Sequence, residues 1–158
     1  MIRIGQGYDV HPFEPGKKLV LGGVVIDHPD GLAGHSDGDA LIHAIIDALL
    51  GAAALGDIGT HFPSSREDLK GADSIDLLKG VAKLLAASGC SIVNIDSTVV
   101  AQKPRIAPHV AAMRDRIAMA LAINPRCVSV KATTTDGLGS MGRAEGIAAQ
   151  AVCLIESA

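Results

Sequence analysis

The segment from Gly38 to Gly51 constrains the fold more than any other part of the chain. It reads GDALIHAIIDALLG, and Asp39, His43 and Asp47 are its only charged or ionisable side chains. Their spacing of four predicts one polar stripe along an otherwise apolar helix. Because buried ionisable groups are costly unless they are paired, hydrogen-bonded or bound to metal, other polar groups must meet this stripe.

A candidate partner for the stripe lies near the N-terminus, in the segment YDVH. Asp9 and His11 are two residues apart on a predicted strand, so their side chains share one face. Together with His43 they would form a three-ligand zinc site with its fourth position open. For His43 alone, a hydrogen-bonded core histidine is the alternative. Asp47 is either a hydrogen-bond partner of His43 or a solvated helix position.

Length and composition predict one aliphatic domain. The chain has 158 residues, which favours a single domain over 1–158. Its aromatic residues are Tyr8, Phe13 and Phe62, so alanine, leucine, isoleucine and valine must fill the core. Such a composition also suits a chain that buries one face against copies of itself.

Charge, apolar patterning and cysteine content predict which kinds of partner and which compartment the protein has. The net charge of −3 predicts no nucleic-acid-binding surface. The apolar stretch 40–55 is too short and too polar for a membrane span, and no signal-peptide pattern precedes the first predicted strand. Three scattered cysteines indicate a reducing compartment, so we expect a cytoplasmic protein without a disulfide framework.

The order of apolar patterns predicts an α/β (α+β) fold, a single domain whose mixed, mainly four-stranded sheet is covered by helices on one face. A helix capped by Ser36 or Asp37 should end near Gly56. The remaining predicted segments are a strand over 2–8 that ends in the segment Asp9-Val10-His11, strands over 91–101, 128–134 and 147–155, a hairpin over 17–26, loops over 28–34, 57–65 and 136–142, and helices over 74–88 and 109–122.

Two further segments carry candidate chemistry. His35 and Ser36 precede the apolar helix, where they belong to its cap or donate hydrogen bonds into a site beside the metal.

Thr133, Thr134 and Thr135 are good strand formers, but they end at a glycine-rich turn whose hydroxyls and N–H groups suit phosphate oxygens. Asp136 adds an oxygen ligand suited to Mg²⁺ or Mn²⁺, and Lys131 or Arg143 could neutralise phosphate charge. The sequence contains no Walker A motif.

Matching motifs run along almost the whole chain in order. The chain resembles the 2-C-methyl-D-erythritol 2,4-cyclodiphosphate synthase family in the segments RIGQGYDVH from Arg3, HSDGD from His35, DALLGAAALGDIG from Asp47, Phe62-Pro63, KGADS from Lys70, AQKP from Ala101, KATTT from Lys131 and GRAEG from Gly142.

The resemblance implies a homotrimer with its sheets towards the threefold axis and its active sites between subunits. Zinc would be held by Asp9, His11 and His43, and a second ion, Mg²⁺ or Mn²⁺, would bind with the substrate near Asp136. The implied substrate is 4-diphosphocytidyl-2-C-methyl-D-erythritol 2-phosphate, a cytidine diphosphate compound. Its 2-phosphate attacks the β-phosphorus, and CMP leaves as the cyclic diphosphate forms.

The resemblance also assigns roles to residues. His35 and Thr134 would stabilise the transition state as catalytic residues. The implied substrate-binding residues are Asp9, Val10, His11, His35, Ser36, Asp57, Ile58, Gly59, Phe62, Pro63, Ser64, Ser65, Arg66, Ala101, Gln102, Lys103, Pro104, Arg105, Ile106, Ala107, Thr133, Thr134, Thr135, Asp136, Ser140 and Arg143. Three residues depart from the common family pattern. Many members have a glutamate at the position of Asp136, an aromatic residue at that of Ser140 and an acidic residue at that of Ser64.

Intramolecular phosphoryl transfer needs positioning and charge neutralisation more than a covalent nucleophile. This agrees with a chain in which no Ser-His-Asp or reactive cysteine arrangement is found. Two other functions use the same residues. One is a metal-dependent phosphohydrolase, and the other is a non-catalytic trimeric protein that binds a cytidine or isoprenoid diphosphate.

Overall fold

The computed structural model describes residues 1–157. Its strands are β1 (Ile2–Pro15), β2 (Leu19–Leu21), β3 (Val24–Ile26), β4 (Asp30–Leu32), β5 (Cys90–Val100), β6 (Val128–Thr133) and β7 (Gly146–Ser157). Its α-helices are α1 (Ala40–Ala53), α2 (Ile58–His61), α3 (Ser74–Ala87), α4 (Val110–Leu121) and α5 (Gly139–Gly142).

The main sheet has five strands in the order β4-β1-β7-β5-β6. The β5–β6 pair is parallel, and the other neighbouring pairs are antiparallel. Four long strands with the three-residue β4 at one edge confirm the predicted mixed, mainly four-stranded sheet. The predicted α+β class is also confirmed.

The two faces of the sheet differ in burial. Along β1, Gly5, Gly7, Asp9 and His11 face the helices, whereas the residues between them are exposed. The inward residues of β7 and β5 are buried apolar side chains such as Ile147, Ile95 and Val99. Helices therefore cover one face, as the alternation predicts.

Helix α1 lies in near-contact with strand β1 because both present small residues. A Cβ atom added to Gly7 would lie 2.0 Å from the carbonyl oxygen of Ala44, and one added to Gly5 would lie 2.0 Å from that of Ala48. No side chain fits between the two backbones at these positions. The close approach sets the distance between the donors on β1 and His43 on α1.

Three local predictions are wrong. Asp39, rather than Ser36 or Asp37, caps α1 by accepting a hydrogen bond from the Ile42 N–H at 3.0 Å. The helix ends at Ala53 instead of near Gly56, because Ala54 adopts a left-handed conformation with φ of 57°. The predicted loops 28–34, 57–65 and 136–142 contain the short elements β4, α2 and α5.

Candidate metal centre

Three donor atoms meet where the C-terminal half of β1 passes α1. Asp9 Oδ2 lies 2.7 Å from His11 Nε2 and 3.0 Å from His43 Nδ1. The two ring nitrogens lie 3.1 Å apart. The structure thus brings together the three residues that the strand and helix periodicities selected.

The chemistry of this donor set fits a cation. A carboxylate oxygen and two imidazole nitrogens all point electron pairs at one small volume, and such pairs repel one another unless protons or a cation lie between them. One aspartate and two histidines are ligands that zinc accepts, with a further position left for a substrate oxygen. Asp9, His11 and His43 could therefore hold a metal ion.

The two β1 donors influence each other's protonation. Burial would raise the pKa of Asp9, but the hydrogen bond and the charge from His11 hold that pKa well below its usual range. Burial would lower the pKa of His11, but its hydrogen bond to Asp9 and the Asp9 charge raise that pKa above its usual value. Asp9 is consequently an anion, ready to bind a cation.

The other nitrogen of His43 is also hydrogen-bonded. His43 Nε2 lies 3.0 Å from Ser74 Oγ and 3.0 Å from Ser36 Oγ. Asp47, which the sequence offered as a partner for His43, instead accepts a hydrogen bond from the Ile58 N–H at 2.8 Å. Burial raises the pKa of Asp47 above its usual value. Asp47 therefore holds the start of α2 in place, and the prediction that it is a hydrogen-bond partner of His43 is wrong.

A cavity of about 270 Å³, which we call the donor pocket, opens beside the three donors. Of the predicted site residues, it is lined by Asp9, His11, His35, Ser36, His43, Ile58, Gly59, Phe62 and Ser64. Asp47, Leu69 and Leu77 complete the wall. His35 also contacts the 66–71 segment, since its Nε2 lies 3.1 Å from the Arg66 carbonyl oxygen.

A second cavity of about 370 Å³, the loop pocket, lies between the 101–107 loop and the end of β6. All seven predicted residues from Ala101 to Ala107 line it, together with Ala132, Thr133 and Thr134. Register pairs Val10 with Ala148, Ala148 with Val100, and Val100 with Thr133. The parts of β1 and β6 that carry the two pockets therefore lie at the same end of the sheet, and these strands are three strand spacings, or roughly 14 Å, apart.

The remaining predicted residues line neither pocket. Asp57 caps α2 by accepting from the Thr60 N–H at 2.8 Å. Val10 lies on the opposite face of β1 from the donors, with an exposed side chain. The others are Pro63, Ser65, Arg66, Thr135, Asp136, Ser140 and Arg143.

The turn after β6 is held by its own polar groups. Asp136 adopts a φ of 54°, and its N–H donates to Thr134 Oγ1 at 3.1 Å. Thr134 Oγ1 also donates to Asp136 Oδ1 at 3.2 Å. Arg143 Nε donates to Glu145 Oε1 at 2.6 Å, so its charge is shared with a neighbouring carboxylate. Asp136 keeps an exposed carboxylate, an oxygen ligand of the kind that Mg²⁺ prefers.

Sequence reasoning missed Ser74 as a neighbour of His43 and Asp37 as the partner of Ser74. Ser74 Oγ donates to Asp37 Oδ1, and the Ser74 N–H donates to Asp37 Oδ2 at 2.9 Å. Both residues lie in motifs that match the family, HSDGD and KGADS, but their residue types are ordinary at helix starts. A serine at the first turn of a helix satisfies capping statistics whether or not its hydroxyl faces a histidine.

The fold and the site together define an α+β protein with a candidate Asp-His-His metal centre at one end of a mixed sheet. The sequence profile of the YgbB family matches residues 2–156. The chain therefore belongs to the YgbB family, and it is an enzyme of that family.

Relatives of the chain carry a consistent name. It is 60% identical over 157 residues to the 2-C-methyl-D-erythritol 2,4-cyclodiphosphate synthase of Syntrophomonas wolfei subsp. wolfei, covering 99% of this chain and 100% of that protein. The bifunctional IspDF from Campylobacter jejuni superposes with a TM-score of 0.96 at 41% identity, over 100% of this chain and 43% of that one. The CDP complex of Plasmodium falciparum IspF gives 0.87 at 36% identity, over 99% and 96% of the two chains.

Proposed function

We propose that this chain is a cyclising, CMP-releasing phosphorus–oxygen lyase whose residues 1–158 form one synthase domain. It converts 4-diphosphocytidyl-2-C-methyl-D-erythritol 2-phosphate into 2-C-methyl-D-erythritol 2,4-cyclodiphosphate in non-mevalonate isoprenoid precursor biosynthesis. The observation that carries the proposal is the convergence of Asp9, His11 and His43 beside the donor pocket. The names of the curated relatives support the choice of substrate.

Asp9, His11 and His43 would hold zinc, and Asp136 would contribute to a Mg²⁺ or Mn²⁺ site. When bound, the two ions supply Lewis-acid polarisation and charge neutralisation for the diphosphate. The chain supplies the geometry: Asp9 and His11 come from a rigid strand, and His43 comes from a helix packed directly on it. Rigid elements keep such donors in place without a cost of reorganisation during the reaction.

The bond changes balance within the substrate. An oxygen of the 2-phosphate bonds to the β-phosphorus, and the bond from that phosphorus to the α–β bridging oxygen breaks. The bridging oxygen leaves as part of CMP. The task of the chain is to align these atoms, because holding two groups of one molecule in attack geometry removes much of the barrier.

We assign the polar groups around the pockets as follows. His35 and Ser36 hydrogen-bond the phosphates in the donor pocket, and Thr134 stabilises the transition-state charge from the loop pocket. Asp57, Ile58 and Gly59 hold the ribose. The methylerythritol part contacts the segment Phe62, Pro63, Ser64, Ser65 and Arg66. The cytosine binds in the loop pocket, mainly to backbone groups of residues 101–107. Thr133, Thr135, Asp136, Ser140 and Arg143 complete the contacts with phosphates.

A homotrimer would join the donor pocket of one subunit to the loop pocket of the next. Each pocket alone has a volume at or near the lower limit of ligand sites, of about 300 Å³, whereas the substrate carries a nucleotide and a branched sugar alcohol phosphate. The outer sheet face bears Ile2, Ile4, Tyr8, Val10 and Val152 as exposed apolar groups. Such a patch marks an interaction surface. Three free thiols suit the reducing cytoplasm.

The test is a product assay with the named substrate, Zn²⁺ and Mg²⁺. We expect equal amounts of CMP and the cyclic diphosphate. A linear product that incorporates solvent oxygen would instead establish a phosphohydrolase. Binding of CDP without turnover would leave a non-catalytic binding protein, and either result would overturn the proposal.

None of the helices in residues 1–157 is long and apolar enough to cross a membrane. We propose that the substrate is a small molecule and that neither nucleic acid nor a membrane is a partner. The net charge of −3 supports the first part of this statement.

A further inference from the structure

On the side of its ring away from the metal donors, His43 is linked by hydrogen bonds to Ser74 and, through Ser74, to Asp37. Ser74 is the first residue of α3 and is fully buried, with 0% exposure. Its Oγ lies 3.0 Å from His43 Nε2 and donates to Asp37 Oδ1. Neither Ser74 nor Asp37 belongs to the ligand set or lines the donor pocket.

The proton arrangement in this chain follows from the capacity of each group. An ionised carboxylate only accepts, so the single hydroxyl hydrogen of Ser74 is used towards Asp37. Ser74 Oγ then accepts from another neighbour, and His43 Nε2 at 3.0 Å is closer to it than Ser36 Oγ at 3.5 Å. A neutral imidazole carries one N–H, so His43 Nδ1 keeps its electron pair and directs it at Asp9 and His11.

Backbone hydrogen bonds hold Asp37 and Ser74 in place. The Ser74 N–H donates to Asp37 Oδ2 at 2.9 Å, and the Asp39 N–H donates to Asp37 Oδ1 at 3.1 Å. The Asp37 N–H donates to the Ala72 carbonyl oxygen at 3.1 Å. Asp37 is thus fixed from three directions, and it fixes the Ser74 hydroxyl in turn.

Ser36 offers a second acceptor for the same N–H, with its Oγ 3.0 Å from His43 Nε2. Its position differs, because Ser36 lines the donor pocket and is only partly buried. A ligand in that pocket can draw the Ser36 hydroxyl away, whereas the buried Ser74 keeps its contact with His43.

We propose that Ser74, oriented by Asp37, is a positioning residue that holds His43 in the tautomer whose Nδ1 is free to bind a metal ion. This inference deepens the proposed function and rests on its metal centre. Partners of this kind behind a ligating histidine fix its ring and tautomer, and their loss typically weakens metal binding by about 10- to 100-fold.

The first test uses the metal-free protein, so it does not depend on whether zinc binds. At a pH where the imidazole is neutral, ¹⁵N NMR of His43 should report protonation at Nε2 in the wild type. In Ser74→Ala the Nδ1–H form, which donates to Asp9, should become populated. A wild-type His43 protonated mainly at Nδ1 would overturn the inference.

The second test measures zinc affinity by competition with a chelator. Ser74→Ala should bind zinc about 10- to 100-fold more weakly than the wild type. The matched control is Ser97→Ala, because Ser97 is also a buried serine and donates to the Ser129 carbonyl oxygen at 2.8 Å, away from the donors. Zinc affinities of the Ser74 and Ser97 variants that agree within about twofold would overturn the inference.

Asp37→Asn provides a second variant if Ser74→Ala fails to fold. It keeps the size of the side chain but removes the anionic acceptor, so we expect a smaller loss of zinc affinity than for Ser74→Ala. An affinity equal to that of the Ser97 control would contradict the role of Asp37 and Ser74. A folded wild type that binds no zinc would contradict the proposed metal centre, and the NMR result would still decide the role of Ser74.

Discussion

His43 uses both of its ring nitrogens. Nδ1 lies among Asp9 and His11, and Nε2 lies among two serine hydroxyls. A histidine buried only to fill a core would need one hydrogen-bond partner for its N–H. Convergence of other electron-pair donors on the second nitrogen distinguishes His43 from that case.

His43→Ala should abolish tight zinc binding and turnover while the fold persists. We expect zinc affinity to fall by more than about a hundredfold, since a direct ligand matters more than its supporting partners. His28→Ala is the matched control, because His28 is a histidine that stacks on Phe13 with ring centroids 5.0 Å apart, outside the donor pocket. Titration with zinc and circular dichroism provide the two measurements, and full zinc affinity in His43→Ala would contradict the assignment.

Asp47→Asn should stabilise the metal-free protein at neutral pH. Burial raises the pKa of Asp47, so folding penalises its charged form, and that penalty is present above the folded pKa and absent well below the ordinary value of about 3.9. The asparagine oxygen still accepts from the Ile58 N–H. Urea unfolding at about pH 7 and about pH 3 should show a gain only at the higher pH. A loss of stability at neutral pH would show that the Asp47 charge is favourable.

At this scale the sequence was sufficient to select Asp9, His11 and His43. Periodicity places Asp9 and His11 on one face of a strand and His43 on a polar stripe of an apolar helix, and buried polar groups need partners. The cap of α1 was misassigned because Ser36, Asp37 and Asp39 are all good capping residues. The choice among them depends on the Gly22 and Gly23 N–H groups, which donate to the Asp39 carboxylate at 2.9 Å and 2.7 Å. That contact is tertiary and leaves no local signal.

At the scale of elements, the pairing of β1 with α1 carries the site. Gly5 and Gly7 face Ala44, Ala48 and Ala52, so small residues at helical spacing meet small residues at strand spacing. Two backbones in near-contact leave little freedom for either element to shift. The relative placement of Asp9, His11 and His43 is therefore a consequence of this packing.

Gly7→Ala should disturb both stability and the metal centre. Its Cβ would lie 2.0 Å from the Ala44 carbonyl oxygen, so α1 must move, at a cost of roughly 3 kcal/mol. Gly51→Ala is the matched control, since a Cβ there meets nothing within 4 Å and an alanine in a helix is favoured by about 0.5–1 kcal/mol. Denaturant unfolding should therefore show opposite signs for the two variants. A Gly7→Ala protein as stable as the wild type would contradict the close packing.

Most long elements and the short β2–β3 hairpin were predicted, whereas β1 runs past its predicted end to Pro15 and three other short elements were missed. Helix α3, helix α4 and strands β5, β6 and β7 lie within two residues of their predicted bounds, because their apolar spacing repeats over several turns or alternations. Elements β4, α2 and α5 have three or four residues each. Such lengths cannot display a period, and α2 depends on Asp47 and Asp57 accepting from its N–H groups.

At the scale of the whole molecule, the outer face of the sheet is unusual for a single chain, because it carries large apolar side chains exposed to solvent. Ile4 is 69% exposed on this face, which also carries the exposed Ile2, Tyr8, Val10 and Val152. Several large apolar side chains exposed on one sheet face are typical of an interaction surface. This observation, rather than composition, supports the proposed trimer.

If the proposed trimer forms, Ile4→Glu should break it, because the substitution buries a charge in the proposed interface without a partner. Val25→Glu is the matched control, since Val25 is 57% exposed but lies on the small β2–β3 hairpin outside the main sheet. Light scattering after gel filtration should give a monomer mass for the Ile4 variant and a trimer mass for the Val25 variant. A trimer in both cases would place the interface elsewhere.

The most direct test of the central claim is complementation between two inactive chains. His43→Ala removes the donor set, and Thr134→Ala removes the loop-pocket hydroxyl. If each active site joins the donor pocket of one subunit to the loop pocket of the next, unfolding and refolding an equal mixture should restore about a quarter of wild-type CMP and cyclic diphosphate formation. No activity above that of the separate variants would contradict an active site shared between copies of this chain.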